Sequence, residues 1–212
     1  MSTRLAAGPL VLRPPRVRDG RAWAQLRVGQ QDWLEPWETT PPAVALVPWA
    51  ERQTRASWAP TVRLLRRQAR RGEAVPLVVL VQGRLVGQVT VGAIVRGATQ
   101  SGSLGYWVDQ RVAGRGVGSV AVALTLDHCF GSLRLHRVEA VVRPENARSR
   151  ALLARLGFRE EGTAVRSLFA SGAWRDHLVC ALTAEEVPST GMLSRLPRDT
   201  PQHLARDRDG RA

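Results

Sequence analysis

Apolar residues recur along this chain in two periods. Short β-branched runs at Leu10-Val11-Leu12, Val75–Val81, Arg84–Val95, residues 104–109 and Arg137–Val142 are bounded by glycine, proline or polar residues, and they predict strands. Gln82-Gly83 joins the second and third runs as a tight hairpin, and residues 97–102 make the next turn. Helical spacing follows Asp19, a candidate N-cap, through Trp23, Leu26 and Val28. It returns over residues 47–71, where Trp49, Ala56, Trp58, Val62 and Leu65 are available for burial and Pro60 predicts a kink or two shorter helices. Residues 117–130 read as a helix keeping Val117, Val120, Ala121 and Leu124 for the core, and residues 146–156 as another that stops at Leu156-Gly157-Phe158. Residues 158–169 and 174–182 form a hairpin around Ser171-Gly172. Thr183 and Glu186 have capping-box spacing, but Pro188 follows too closely for a further helix. Strands, a helix, a strand, a helix and a closing hairpin predict an α+β sandwich with a mixed, mostly antiparallel sheet. One domain over residues 1–188 is expected, followed by a basic, flexible tail at 189–212.

Composition changes this picture little. A chain of 212 residues supports a single sizeable core, and no apolar stretch reaches the length of a membrane span. The first residues, MSTRLAAGPLVLRPP, lack the apolar centre of a signal peptide, so a cytoplasmic monomer or dimer is expected. Cys129 and Cys180 lie in apolar surroundings without metal-ligand spacing and read as buried, reduced thiols; no metal is expected. The net charge is +13 and every basic residue other than histidine is arginine, which favours acidic or nucleic-acid-rich neighbours without naming one. Arg63, Arg66, Arg67, Arg70 and Arg71 crowd one helix end, where positive charge is favourable; a solvated face or a contact with RNA both fit.

Candidate chemistry concentrates between the third meander strand and the helix after it. Trp107, Val108 and Asp109 lead into Ala113-Gly114-Arg115-Gly116-Val117-Gly118-Ser119. Glycines let backbone approach an anion, and the N–H groups opening a helix, with its dipole, favour phosphate. One strand later come Asn146-Ala147-Arg148-Ser149 and the terminal Leu156-Gly157-Phe158. A glycine-rich turn, N-x-x-S and L-G-F in this order resemble the acyl-CoA-binding core of the GNAT acetyltransferase superfamily, and within it the RimJ/RimL type, the ribosomal-protein-alanine N-acetyltransferases. The Leu12-Arg13-Pro14-Pro15-Arg16 opening and Trp33-Leu34-Glu35-Pro36-Trp37 are also similar to RimJ-type chains.

The resemblance implies the GNAT fold over nearly the whole chain before the tail, with a splayed strand pair holding acetyl-CoA. It assigns Trp107, Val108 and Asp109 to the pantetheine wall and the backbone from Gly114 to Ser119 to the pyrophosphate. Arg111-Val112-Ala113-Gly114-Arg115-Gly116 matches the family's Gln/Arg-x-x-Gly-x-Gly/Ala, with Arg111 and Arg115 expected to add charge. Many family members carry a tyrosine seven residues after the asparagine to protonate the leaving thiolate. Leu153 stands there in this chain, so Ser149 is expected near the sulfur, with Asn146 holding a pantetheine amide. Asn146 as a helix cap and Ser149 as a first-turn residue are the structural alternatives.

Acceptor chemistry asks for a neutral amine and a polarised carbonyl, the second supplied, as the resemblance implies, by a backbone N–H near Val108. Glu139 is the expected base, because a carboxylate inside the apolar run Val138-Glu139-Ala140-Val141-Val142 would be costly to bury without purpose. Asp176 or His177 on the closing strand could serve instead. Trp33 and Trp37 either contact the acceptor or staple the first helices to the sheet. An α-amine, with a pKa of about 8, needs less help than a lysine, which favours a protein N-terminus, and the resemblance points to a ribosomal protein. A small amine (polyamine, amino acid or aminoglycoside) and a non-catalytic CoA-binding module are the alternatives. A dinucleotide-binding fold is disfavoured, since the glycine turn follows an antiparallel meander.

Overall fold

The computed structural model describes residues 3–197 and Thr200. Its core is one eight-stranded sheet, with β1 (Leu5–Ala7) and β2 (Leu10–Arg13) at one edge. Four helices follow these strands: α1 (Gly20–Val28), α2 (Gln31–Leu34), α3 (Pro42–Ala45) and α4 (Trp49–Arg52). The long α5 (Arg55–Arg70) leads to the meander β3 (Val75–Val81), β4 (Arg84–Val95) and β5 (Ser101–Val108). Then come α6 (Val117–Asp127), β6 (Arg137–Val142), α7 (Ala147–Arg155) and the hairpin β7 (Arg159–Ala170) and β8 (Ala173–Thr183). The sheet order is β1-β2-β3-β4-β5-β6-β8-β7, antiparallel everywhere except between β5 and β6. The expected α+β sandwich with a mostly antiparallel sheet is the observed one.

Alternation along the strands divides the interior in two. Leu77 and Val79 on β3, Leu104, Tyr106 and Val108 on β5, and Val138, Ala140 and Val142 on β6 pack with α6 and with Leu153 and Leu156 near α7. Val78 and Trp107 point the other way, onto Trp23 of α1 and Trp58 and Val62 of α5. Helix α6 is buried almost all round, which its nearly continuous apolar sequence requires. Gln82 and Gly83 both have positive φ, the conformation that a two-residue hairpin between twisted strands favours.

Several local expectations are corrected. Asp19 stands at the N-cap position of α1, as expected, but its side chain does not bond the helix; its carboxylate accepts two hydrogen bonds from Arg13, at 2.7 and 2.8 Å, and one from the Arg16 N–H at 2.7 Å. The break within residues 47–71 falls at Gln53-Thr54, where Thr54 caps α5 in a reciprocal pair with Ser57, and Pro60 lies inside the helix. Packing does not stop at residue 188. A short turn over Met192–Arg195 continues the domain, Met192 and Leu196 are buried, and Asp127 at the end of α6 accepts the Met192 N–H at 2.7 Å. Residues 198, 199 and 201–212, more than half of the expected tail, lie outside the described residues.

Candidate active site

The site begins where β5 and β6 part. Their parallel pairing covers only Ser101 with Arg137, Gly102 with Val138 and Ser103 with Glu139. Beyond it β5 stays with β4, through Val108 opposite Gly87, and β6 stays with β8, through Val142 opposite Leu178. A gap therefore opens between residues 104–108 and 140–142. The Asp109 N–H donates to the Val86 carbonyl at 2.7 Å, so Val108 and Gly87 form a non-hydrogen-bonded pair. The N–H and C=O of Val108, and by alternation those of Tyr106, are thereby directed away from β4 and into the gap. An extended, amide-bearing ligand finds there the pairing partners that a missing strand would use.

At the upper end of the gap lies the glycine turn. Gly114 has φ +78° and Gly116 has φ +86°, and Gly116 is the residue from which α6 starts. The N–H groups of Val117, Gly118 and Ser119 precede any acceptor within the helix and open toward the turn. A Cβ on Gly118 would come within 3.2 Å of Leu152 and 3.7 Å of Val108, so this glycine lets α6 sit close to α7 and β5. The methyl of Thr200, near the C-terminal limit of the described chain, lies over Gly116. Such a cradle fits a diphosphate whose attached arm enters the gap.

The charge expected on the turn is partly neutralised. Asp109 is buried and accepts from the Gln30 side chain at 2.7 Å, from the Arg111 N–H at 2.9 Å and from the Arg111 guanidinium at 2.6 Å. It anchors the turn and does not offer its side chain to the pantetheine wall, and Arg111 spends its charge on it. Arg115 is exposed. Burial pushes the Asp109 carboxyl up, but the hydrogen bonds and charge of Arg111 with the bond from Gln30 outweigh it, and its pKa is lowered. A lowered folded value contributes stability above the ordinary aspartate range near pH 3.9, lost as pH falls through the folded value. Asp109→Asn should accordingly melt lower at pH 7, and its deficit against the unaltered protein should close below about pH 4; a deficit independent of pH would contradict the assignment.

Helix α7 roofs the gap. Asn146 accepts the Ser149 N–H at 3.1 Å, as an N-cap does, and the Ser149 hydroxyl lies 2.7 Å from the hydroxyl of Tyr106, which reaches it from β5. Burial pushes the Tyr106 phenol up to about 12, against a smaller lowering by the bond to Ser149. Leu153 is buried in the core beneath the helix.

Glu139 stands on the opposite face of β6 from Tyr106 and Ser149, at the last pair before the strands part. It is half-exposed and bound to Arg137 at 2.7 Å, within a network that continues through Glu161 to Arg159. The burial argument for Glu139 as base therefore fails: the carboxylate is solvated and paired. Asp176 is exposed and accepts the Arg166 N–H at 2.7 Å, closing a bulge in β7. His177 is buried, with Nδ1 3.0 Å from the Arg175 carbonyl. The gap's residue on this face is Val141, 41% exposed.

Of the two tryptophans, Trp33 reaches the edge of the gap and Trp37 packs with Arg143. The Trp33 indole donates to the Val108 carbonyl at 3.0 Å, and the Arg148 guanidinium lies 4.6 Å from its ring centre. Trp37 is exposed on one side, with Arg143 5.5 Å from its ring. Their segment is stitched to the β7–β8 hairpin by a bridge from Thr39 to Ala170 and by Ser171 donating to the Pro36 carbonyl at 3.1 Å. Between them opens a cleft of about 390 Å³ that includes Asp32, Glu35, Glu38 and Arg52, the last paired with Glu35 at 2.7 Å. Arg27, buried beneath it, donates to Gln53 at 2.7 Å, pairs with Glu38, and lies near the rings of Trp23, Trp49 and Trp107. Neither Arg27 nor Tyr106 stands out as a site residue in the sequence. One arginine among many carries no signal, whereas the alternation Leu104, Tyr106, Val108 could have placed Tyr106 on the face that α7 covers.

The family model described as the acetyltransferase (GNAT) domain matches residues 9–159. The chain belongs to the GNAT acetyltransferase family. Its splayed strands, glycine turn and helix-borne Asn146 and Ser149 all fall within the matched span. Among solved structures it resembles Mycobacterium smegmatis RimJ in complex with CoA-disulfide, at 45% identity, 92% coverage of both chains and a TM-score of 0.85. Among curated relatives it is 29% identical to the ribosomal protein uS5-alanine N-acetyltransferase of Escherichia coli, over 86% of this chain and 92% of that one. It is 41% identical to the probable N-acetyltransferase YjcK of Bacillus subtilis over 47% of this chain, a match spanning 55% of the relative. As a GNAT enzyme it is an N-acetyltransferase.

Proposed function

We propose that this enzyme transfers the acetyl group of acetyl-CoA to the N-terminal α-amine of a protein, with a ribosomal protein as acceptor. The observation that carries the reading is the gap between β5 and β6, lined by outward-facing backbone, closed at one end by the glycine turn and roofed by Ser149. Bound acetyl-CoA supplies an acetyl group activated as a thioester. The N–H groups of Val117, Gly118 and Ser119 hold the pyrophosphate, aided by the dipole of α6. The backbone N–H and C=O of Tyr106 pair with the pantetheine arm, the amide NH₂ of Asn146 donates to the same arm, and the N–H of Val108, whose carbonyl Trp33 holds, polarises the acetyl carbonyl. Ser149 donates its proton to the departing sulfur.

On the other face, Trp33 and Trp37 wall the approach, and Asp32 leaves the cleft a carboxylate beyond those of Glu35 and Glu38, which Arg52 and Arg27 hold. A free α-amine has a pKa of about 7.7–8.0 and is partly neutral near pH 7, so its proton passes to solvent without a strong base. The likeness to RimJ and to the uS5-alanine enzyme supports a protein N-terminus as the acceptor. A peptide with both a free α-amine and an internal lysine tests the acceptor class. After incubation with acetyl-CoA, mass spectrometry should place the acetyl group on the α-amine; acetylation of the lysine alone would contradict the reading.

A further inference from the structure

We infer that Tyr106 is a positioning residue that relays a proton through Ser149 to the leaving sulfur. The inference rests on the proposed role of Ser149. It comes from the 2.7 Å contact between the two hydroxyls, one on β5 and one on α7, across the head of the gap. When Ser149 points its hydrogen toward the sulfur, the Tyr106 hydroxyl, which also lies 3.4 Å from the Ser149 carbonyl, is the donor in that contact, and the chain then runs phenol to serine, serine to sulfur.

A serine acting alone would be left as an alkoxide, whose conjugate acid is comparable to water, with a pKa of about 15.7. A phenol is the stronger acid, about 10 in water, and stays so where burial raises Tyr106 to about 12. As the carbon–sulfur bond breaks and its electron pair goes to sulfur, Ser149 gives sulfur its proton and takes the proton of Tyr106. The products on the enzyme are an intact serine and a tyrosinate. The proton that the acceptor nitrogen loses to solvent restores the tyrosine, so atoms and charge balance over the cycle. Burial keeps the phenol protonated at working pH. The titratable group facing it from β8 is Cys180, whose thiol burial also pushes up. A tyrosine hydroxyl thus enters the site from β5, while the α7 position where the family resemblance leads one to expect it holds Leu153.

This chain contains a single tyrosine, which makes the test direct. Growth on fluorinated tyrosines labels position 106 alone and makes its phenol stepwise more acidic. In the unloaded protein, the fluorine resonance should titrate above free fluorotyrosine, and Ser149→Ala should raise the midpoint further by removing a hydrogen bond that favours the phenolate. In turnover, Tyr106→Phe should lower kcat about 10- to 100-fold with KM for acetyl-CoA unchanged. The alkaline limb of the kcat profile should move down with each more acidic phenol, a response that a merely structural hydroxyl would not give. A resonance indifferent to Ser149→Ala, or a Phe variant with the kcat of the unaltered enzyme, would overturn the relay alone. No turnover by the unaltered enzyme with any amine would overturn the proposed function and the relay with it.

Discussion

Gly116→Val is expected to weaken coenzyme A binding about 100-fold, or about 2.7 kcal/mol. At φ +86° Gly116 adopts the left-handed conformation from which α6 departs, and a β-branched residue held there costs about 1–3 kcal/mol. Relief of that strain would rotate the first peptide groups of α6 away from the turn, spoiling the convergence of the Val117, Gly118 and Ser119 N–H groups. The new side chain also starts in occupied space, since a Cβ at this position would lie 2.4 Å from the Thr200 methyl. Calorimetric titration with coenzyme A measures the loss, and Gly116→Ala should fall between the two. A valine variant that binds as tightly as the unaltered protein would place the phosphates elsewhere.

Ser149→Ala should lower kcat about 10³-fold while leaving coenzyme A affinity almost unchanged and costing about 1 kcal/mol of stability, because the buried Tyr106 hydroxyl loses this partner. Its hydroxyl is bonded to Tyr106, and its backbone N–H, which survives the substitution, is what Asn146 caps. Asn146→Ala should remove the α7 cap at a similar cost of about 1 kcal/mol of stability. Steady-state kinetics beside thermal unfolding separates the catalytic loss from the structural one. A loss of stability in Ser149→Ala with kcat preserved would make Ser149 a packing residue.

Much of this architecture is readable from the chain because local chemistry and tertiary packing agree. Val75–Val81, Arg84–Val95 and Arg137–Val142 are strands with the expected limits, their β-branched runs being buried on the sheet. The glycine turn and the N-x-x-S helix start are equally legible, since positive φ and capping each call for few residue types. Long-range pairing is what the sequence conceals. Glu139 looks buried in a one-dimensional pattern, yet its strand face is open and Arg137 sits two residues away to pair with it. Asp109 and Arg111 look like two independent ligand contacts until Gln30, 79 residues before Asp109, is seen to complete their network. Met192 and Leu196 are too sparse to show periodicity, and only the exposed end of α6 gives them a surface to cover. Tyr106 reads as one more aromatic residue in a strand because its partner lies 43 residues further on.

The central claim is acetyl transfer to a protein N-terminus, and thiol release from acetyl-CoA tests it most directly. The acceptors are short peptides differing in their first residue, each free or α-blocked, beside a polyamine, free amino acids and an aminoglycoside. Release confined to free N-termini, and dependent on the first residue, is the predicted result. Release with small amines alone would contradict the claim, and binding of acetyl-CoA without release to any acceptor would leave a module that holds the cofactor without using it.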